Sequence, residues 1–175
     1  MSDWKDKIVL MQGDITEQDC DVIVNAANEQ LSRGGGVCGA IHDAAGPGLE
    51  RECMLYGGCS TGEAVMTRAY DLPCRKVIHT VGPIYGGGAG DEEADLLTSC
   101  YQESLRLAAE HDMTSIAFPS ISTGIYGYPF DEACRVALAA LKEGLEENPE
   151  IKEVRLVCYS VGDLEDYERI FAETS

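Results

Sequence analysis

Two periodicities alternate along the chain. Residues 8–12 (Ile-Val-Leu-Met-Gln) and 22–24 (Val-Ile-Val) are short apolar runs with the β-branched content of buried strands. Residues 61–69 and 76–81 read as two further extended segments joined by a turn containing Pro73, and residues 115–119 and 154–159 as the last two strands. Between these runs the spacing turns helical. A small-residue helix is expected from about Val37 to Ala45, broken at Gly46-Pro47-Gly48, and a short one carries Leu49, Cys53 and Tyr56. Leu97, Cys100, Tyr101, Leu105 and Ala108 give an amphipathic helix over 92–111, with Glu103, Arg106 and Glu110 elsewhere on its cylinder. Tyr128-Pro129 opens another, running to about Glu147 on Val136, Ala140 and Leu141, and residues 164–172 close the chain as a helix. Gly82-Pro83 and residues 86–90 are expected to be a mobile loop.

Strands alternating with helices predict an α/β fold, a mostly parallel sheet covered by helices. At 175 residues, with no repeat, low-complexity tract or linker, a single domain is expected. Open sheets of this kind bind ligands beyond the carboxyl ends of their strands. Two glycine-bearing loops follow strands, one ending in Gly34, Gly35 and Gly36 and one spanning residues 120–127. Both can therefore lie along that edge.

The first loop begins with Asn25 and Asn28 at a strand's end and leads into a helix N-terminus. Glycine lets the backbone approach a ligand closely, and the unpaired N–H groups of a first helical turn point at an anion. A flexible surface loop uses the same glycines. The abrupt return to helix-forming apolar residues favours a phosphate site. Asp14, at the end of the first strand, fits either a turn that bonds its own backbone or a group aimed at a ligand. Tyr126 either covers its loop together with Tyr128 or faces a ligand; Gly124 and Gly127 bracket it on a loop that must close.

Composition narrows the partners. Hydrophobic residues at 45% and charged residues at 25% fit a soluble globular protein. No apolar run approaches the roughly 20 residues that span a bilayer, and the charged start of the chain is no secretory segment, so a cytoplasmic protein without membrane contact is expected. The eight cysteines contain no C-x-x-C pair and read as reduced thiols. A net charge of −18 argues against nucleic-acid polymers. A small phosphorylated ligand remains open to it, since charges beyond about 8 Å are largely screened at physiological salt. Such a site must be built mostly from backbone N–H groups.

Taken in order, Gly13-Asp14-Ile15-Thr16, Asn25-Ala26-Ala27-Asn28, the triplet Gly34, Gly35, Gly36 with its helix to Ala44-Ala45-Gly46, Val77-Ile78-His79-Thr80-Val81-Gly82-Pro83 and Ser122-Thr123-Gly124-Ile125-Tyr126-Gly127-Tyr128-Pro129 resemble the macrodomain family, its MacroD-type branch in particular. The resemblance covers nearly the whole chain. It implies a three-layer α/β/α sandwich with a mixed, mostly parallel central sheet, binding ADP-ribose. It places the adenine amine on Asp14 with help from the Ile15 backbone and an aromatic, Tyr159, near the base. The diphosphate falls between Gly34, Gly35, Gly36 and Val37 on one side and Ser122, Thr123, Gly124, Ile125, Tyr126 and Gly127 on the other. Asn28 holds the distal ribose, Tyr126 packs on it, and Asn25 belongs to the same motif. The implied activity removes mono-ADP-ribose from acidic side chains or deacetylates O-acetyl-ADP-ribose, with no metal or cofactor. The implied partners are ADP-ribose, its esters and mono-ADP-ribosylated proteins, with the chain a monomer.

One departure bears on catalysis. Where the family helix often carries Asp, this chain has Cys38, followed one turn later by His42. Residues four apart share a helix face. Three readings stay open: hydrolysis supported by Asn28, His42 and the substrate's own phosphate; a binding module with little or no turnover; or a Cys38 thiolate nucleophile activated by His42. His79, flanked by Ile78 and Val81, is expected to be a hydrogen-bonded core or edge histidine.

Overall fold

The computed structural model describes residues 4–86 and 91–175. Its six-stranded sheet is built from β1 (Ile8–Gln12), β2 (Val22–Ala26), β3 (Ala64–Arg68), β4 (Lys76–Thr80), β5 (Ser115–Phe118) and β6 (Glu153–Cys158). Across the sheet the order is β1-β6-β5-β2-β4-β3; β3 runs antiparallel to β4 and every other pair is parallel. The helices are α1 (Gly36–Ala45), α2 (Pro47–Met54), α3 (Glu92–Glu110), α4 (Phe130–Glu147) and α5 (Val161–Glu173).

Alternation along β2 assigns side chains to layers, because successive residues of a strand point to opposite faces. Val22 and Val24 join the core that contains Leu97 and Leu105 of α3, Leu138 and Leu141 of α4, and Tyr167 and Ile170 of α5. Ile23 joins the other core, with Ile41 of α1 and Leu49 and Cys53 of α2. Helices thus cover both faces, which is why the central strands read as unbroken apolar runs rather than as an alternating pattern. Asp21 aligns the starts of neighbouring strands. Its carboxylate accepts from the Thr114 amide at 2.8 Å, its amide donates to Ser115 Oγ at 2.8 Å, and its carbonyl accepts from Arg75 and Lys76.

The expected elements are present, with shifted ends. Gly46 breaks the helix with φ +91°, a conformation that suits glycine, and α2 starts at once with Pro47 in its first turn. Tyr56 lies beyond α2 and donates its hydroxyl to the Met66 carbonyl of β3. Residues 61–63 do not extend β3: Glu63 turns back to Ser60, and Gly62 bonds Val81. Helix α5 begins three residues earlier than its apolar spacing suggests, because the Ser160 hydroxyl caps the Asp163 amide at 3.1 Å. Of the expected 86–90 loop, residues 87–90 lie outside the described residues. No helix among the described residues is long and apolar enough to cross a membrane.

Candidate functional site

Because β1, β6, β5, β2 and β4 run in one direction, the segments that follow them all emerge at one edge of the sheet. Both glycine loops follow neighbouring strands, β2 and β5. At this edge α1 starts on Gly35 with no side-chain cap. Among the described residues the amides of Gly34, Gly35, Gly36, Val37 and Cys38 make no internal hydrogen bond. Helices α2 to α5 each carry an acidic residue in the first turn, and α1 carries none. In a molecule of net charge −18, α1 therefore offers an anion a helix start with no carboxylate in its own first turn, although Glu50 of α2 accepts from the neighbouring Arg33 amide at 3.3 Å.

The second loop matches it. The amides of Thr123, Gly124, Ile125 and Tyr126 are likewise without internal partners among the described residues, while Gly127 bonds back to Gly124 and Tyr128 to Ser122. Ser122 has φ +68°, an uncommon conformation for a non-glycine residue, at the turn that aims these amides. Its side chain is buried beside Gly82, where any Cβ would stand 2.2 Å from Ser122 Oγ, so Ser122 presents backbone to the edge. Tyr85, after β4, donates its amide to the Tyr126 carbonyl at 2.9 Å and braces the loop. A Cβ built on Gly35, Gly36 or Gly124 meets nothing within 4 Å, so all three border open space.

At the other end of the edge, Gln12 pairs with Cys158, which brings Asp14 and Tyr159 together beyond β1 and β6. Asp14 fulfils the turn expectation: its Oδ1 accepts from the Thr16 amide at 2.9 Å and the Thr16 hydroxyl at 2.6 Å. Oδ2 makes no bond among the described residues, so the second expectation stands beside the first. Ile15 is buried in the α1–α2 core, which leaves its backbone at the edge. Tyr159 is 88% exposed with its ring free of internal packing. Asn28 closes its own loop, its Nδ2 donating to the Ser32 carbonyl at 3.0 Å and its Oδ1 accepting from the Ser32 amide at 3.1 Å.

Asn25 lies deeper than the amide rows: it is fully buried, and its Nδ2 donates to His79 Nδ1 at 3.0 Å and contacts Cys38 Sγ at 3.6 Å. Asn25 is the next-to-last residue of β2, one step inside the edge, and pairs in register with His79 of β4. Cys38 and His42 lie on one face of α1, as their spacing requires, and that face is the buried one. The Cys38 thiol donates to the Ser32 carbonyl at 3.7 Å, and His42 is not among its hydrogen-bond partners. His42 Nδ1 has no partner among the described residues, and burial lowers the pKa of its ring. His79 is a core histidine, as expected, held neutral by burial, with a pKa of about 3.

Sequence reasoning passed over Gly39, and it placed Gly82-Pro83 in a mobile loop, whereas Gly82 and Pro83 are both buried, Gly82 against the second loop. A Cβ on Gly39 would stand 2.6 Å from the Gly34 carbonyl, and Gly82 packs on Ser122. The available signal for Gly39 is a glycine inside a helical pattern, which marks close backbone approach. Cavities of about 450 Å³ (lined by Glu29, Gly57, Gly58, Cys59 and others) and 520 Å³ (beside Arg51, Arg68 and Tyr70) flank β3, and neither contains a residue of the two amide rows.

Residues 24–137 match the Macro domain family. A Macro domain-containing protein of Chlorobaculum tepidum is 52% identical over 162 residues, covering 93% of this chain and 94% of its own length. The Xenopus laevis protein named ADP-ribose glycohydrolase MACROD2 is 53% identical over 82% of this chain, which spans 34% of that protein. Among solved structures, a point mutant of the Oceanobacillus iheyensis macrodomain with ADPR superposes with a TM-score of 0.91 at 41% identity, covering 98% of this chain and 96% of that one. The Trypanosoma brucei macrodomain in complex with ADP-ribose gives 0.87 at 43% identity, over 93% of this chain and 68% of that one. With its mixed sheet between two helical layers, the chain belongs to the Macro domain family, in the MacroD-type branch.

Proposed function

We propose that this chain binds ADP-ribose along the carboxyl edge of its sheet and hydrolyses esters at the distal ribose. The substrates in this reading are mono-ADP-ribose on acidic side chains of cytoplasmic proteins and O-acetyl-ADP-ribose. The observation that carries the reading is the pair of partnerless amide rows, residues 34–38 and 123–126, after adjacent strands of a strongly acidic protein. A diphosphate between them takes its hydrogen bonds from backbone N–H groups, which need no side-chain charge. The adenine then extends toward Asp14, whose free Oδ2 accepts from its amine, and toward the open ring of Tyr159. The distal ribose extends the other way, to Asn28 and Tyr126. The reaction adds water across the ester, returning a free carboxylic acid and a ribose hydroxyl. Oriented amides stabilise an oxyanion as it develops, and the packed loops keep bulk water from the pyrophosphate.

A second reading is favoured by one observation. The Cys38 thiol is committed to the Ser32 carbonyl and to Asn25, so it offers no base to an attacking water. On that reading the chain binds ADP-ribose with little or no turnover. The two separate in one assay, in which a Glu-linked mono-ADP-ribosylated protein is incubated with the chain and release of the label is followed. Release at a rate proportional to the amount of chain supports hydrolysis. No release, together with tight ADP-ribose binding by calorimetry, leaves the binding module.

A further inference from the structure

We propose that His79 is a positioning residue for Asn28, acting through Asn25, Cys38 and Ser32, and the proposal rests on the ADP-ribose site described above. His79 sits inside β4, fully buried, and of the groups assigned to the ligand only Asn25 touches it directly. The bonds run in one direction. Thr67 donates its hydroxyl to the Arg68 carbonyl at 3.0 Å, which leaves its oxygen as acceptor for His79 Nε2–H at 2.9 Å. That fixes the ring tautomer and leaves Nδ1 a lone pair. Asn25 Nδ2 donates one hydrogen to that lone pair at 3.0 Å and directs the other at Cys38 Sγ, 3.6 Å away. The thiol in turn donates to the Ser32 carbonyl at 3.7 Å, and the same carbonyl accepts from Asn28 Nδ2 at 3.0 Å.

Each link depends on the one before it. Asn25 Oδ1 has no partner among the described residues, and the two acceptors at Nδ2 select the orientation of this amide. Turned over, the amide would set its oxygen against the His79 lone pair and an acceptor-like sulfur. The thiol would then lose its donor partner, and the Ser32 carbonyl that holds Asn28 would lose one of its two hydrogen bonds. Burial keeps His79 neutral from pH 4 upward, so the direction of the line does not change over the working range. Networks of this kind fix geometry because a half-satisfied buried member is costly.

The test compares ADP, which lacks the distal ribose, with ADP-ribose. Two variants differ in which ring nitrogen they replace. In His79→Asn the short side chain puts an oxygen near the place of Nδ1 and can accept from Asn25; in His79→Gln the amide reaches toward Thr67 and leaves Asn25 without that acceptor. The expected result is that wild type prefers ADP-ribose to ADP. His79→Gln loses roughly three- to tenfold of that preference, the size of one hydrogen bond, with ADP affinity within about twofold; His79→Asn keeps the preference. An unchanged preference in His79→Gln, or an equal loss in both variants, overturns the proposal. Should both variants unfold, Thr67→Val decides by removing the outer acceptor alone: a smaller loss of preference supports the line, and none overturns it. If wild type itself binds neither nucleotide, the site reading fails, which a variant-specific result cannot mimic.

Discussion

Gly39, in the first turn of α1, lies directly against the carbonyl of Gly34, with room for no side chain: a Cβ there would approach the oxygen to 2.6 Å. The first amide row is therefore shaped from inside the helix. Gly39→Ala forces the Gly34 carbonyl outward, and the row must move with it because it is one stretch of backbone. Overpacking of this sort costs about 1–3 kcal/mol of stability. The specific expectation is a loss of ADP-ribose affinity of at least about tenfold in protein that remains folded at 25 °C, since displaced donors cannot all reach one anion. Calorimetric titration beside a thermal melt checks it, and full affinity in the variant would contradict the placement of the diphosphate.

Gly124 gives the opposite separation of stability from binding. A Cβ there touches nothing within 4 Å, and its φ lies outside the left-handed region. Gly124→Val should leave thermal stability within about 0.5 kcal/mol of wild type, as for other exposed substitutions, while its side chain projects over the second amide row. ADP-ribose affinity is expected to fall by an order of magnitude or more. Loss of stability with affinity retained would show that this loop faces something other than the ligand.

Asp14 has two oxygens with two tasks. Oδ1 caps the Thr16 amide, and the free Oδ2 is assigned to the adenine amine. Alanine removes both functions at once, but Asp14→Ser keeps an oxygen acceptor for the turn. Binding of ADP-ribose should weaken by roughly 1.5–3 kcal/mol, the range for hydrogen bonds to a charged group. An analogue with hypoxanthine in place of adenine lacks the amine, so the same substitution should leave its affinity unchanged. Equal losses for the two bases would remove Asp14 from base recognition.

These residues show what a sequence exposes and what it hides. The layers were legible because they follow from period: Val22-Ile23-Val24 must send side chains to both faces, and the helical spacing of residues 97–108 must bury one stripe. The edge was legible because Gly34, Gly35, Gly36 and Gly124 stand at strand ends, where a parallel sheet opens. The depth of Asn25 was not legible, because its partner, His79, is fifty-four residues away in the chain and becomes its neighbour only through the β2–β4 register. Gly39 was passed over, and Gly82 was read as part of a mobile loop, for the same reason: the atoms that require them belong to other segments. The end of α1 at Gly46 was legible because glycine marks it. The start of α5 was displaced because a Ser160 cap, rather than apolar spacing, sets it, and α2 begins at Pro47, earlier than its apolar residues suggest.

The buried histidine also predicts how stability changes with acid. Unfolded, His79 takes up a proton near pH 6.5; folded, burial defers this to about 3. Between those values the unfolded state binds more protons, so stability falls as pH falls, by about 1.4 kcal/mol per pH unit from this residue once below its unfolded pKa. His42, whose ring pKa is also lowered by burial, adds to the same slope. Urea denaturation at pH values from 7.5 to 4.5 should show a plateau above neutrality and a steady decline beneath it. In His79→Asn the decline should be shallower over the same window. A stability independent of pH from 7 to 5 would mean that the ring protonates freely in the folded chain.

Cys38 is the position at which the choice between turnover and binding can be changed with one substitution. Two groups around it can serve a carboxylate: Asn25 Nδ2 already points at Sγ, and His42 Nδ1 on the same helix face has no partner among the described residues. Cys38→Asp places a carboxylate where the amide can donate to it and the imidazole can carry a proton for it. A neighbouring negative charge favours the protonated ring, so the His42 pKa, lowered by burial in wild type, should rise. Proton-transfer groups of this kind contribute about 10²–10⁴-fold to hydrolysis, so release of ADP-ribose from a modified glutamate should accelerate by at least the lower figure if the wild-type limitation is the missing base. The substitution also removes the donor to the Ser32 carbonyl, which predicts a weaker hold on the distal ribose and hence a higher KM with the higher kcat. NMR titration of the histidines and steady-state kinetics measure the two effects separately. An unchanged kcat with a raised His42 pKa would place the base elsewhere in the site, and an unchanged pKa would mean that the new carboxylate does not face His42.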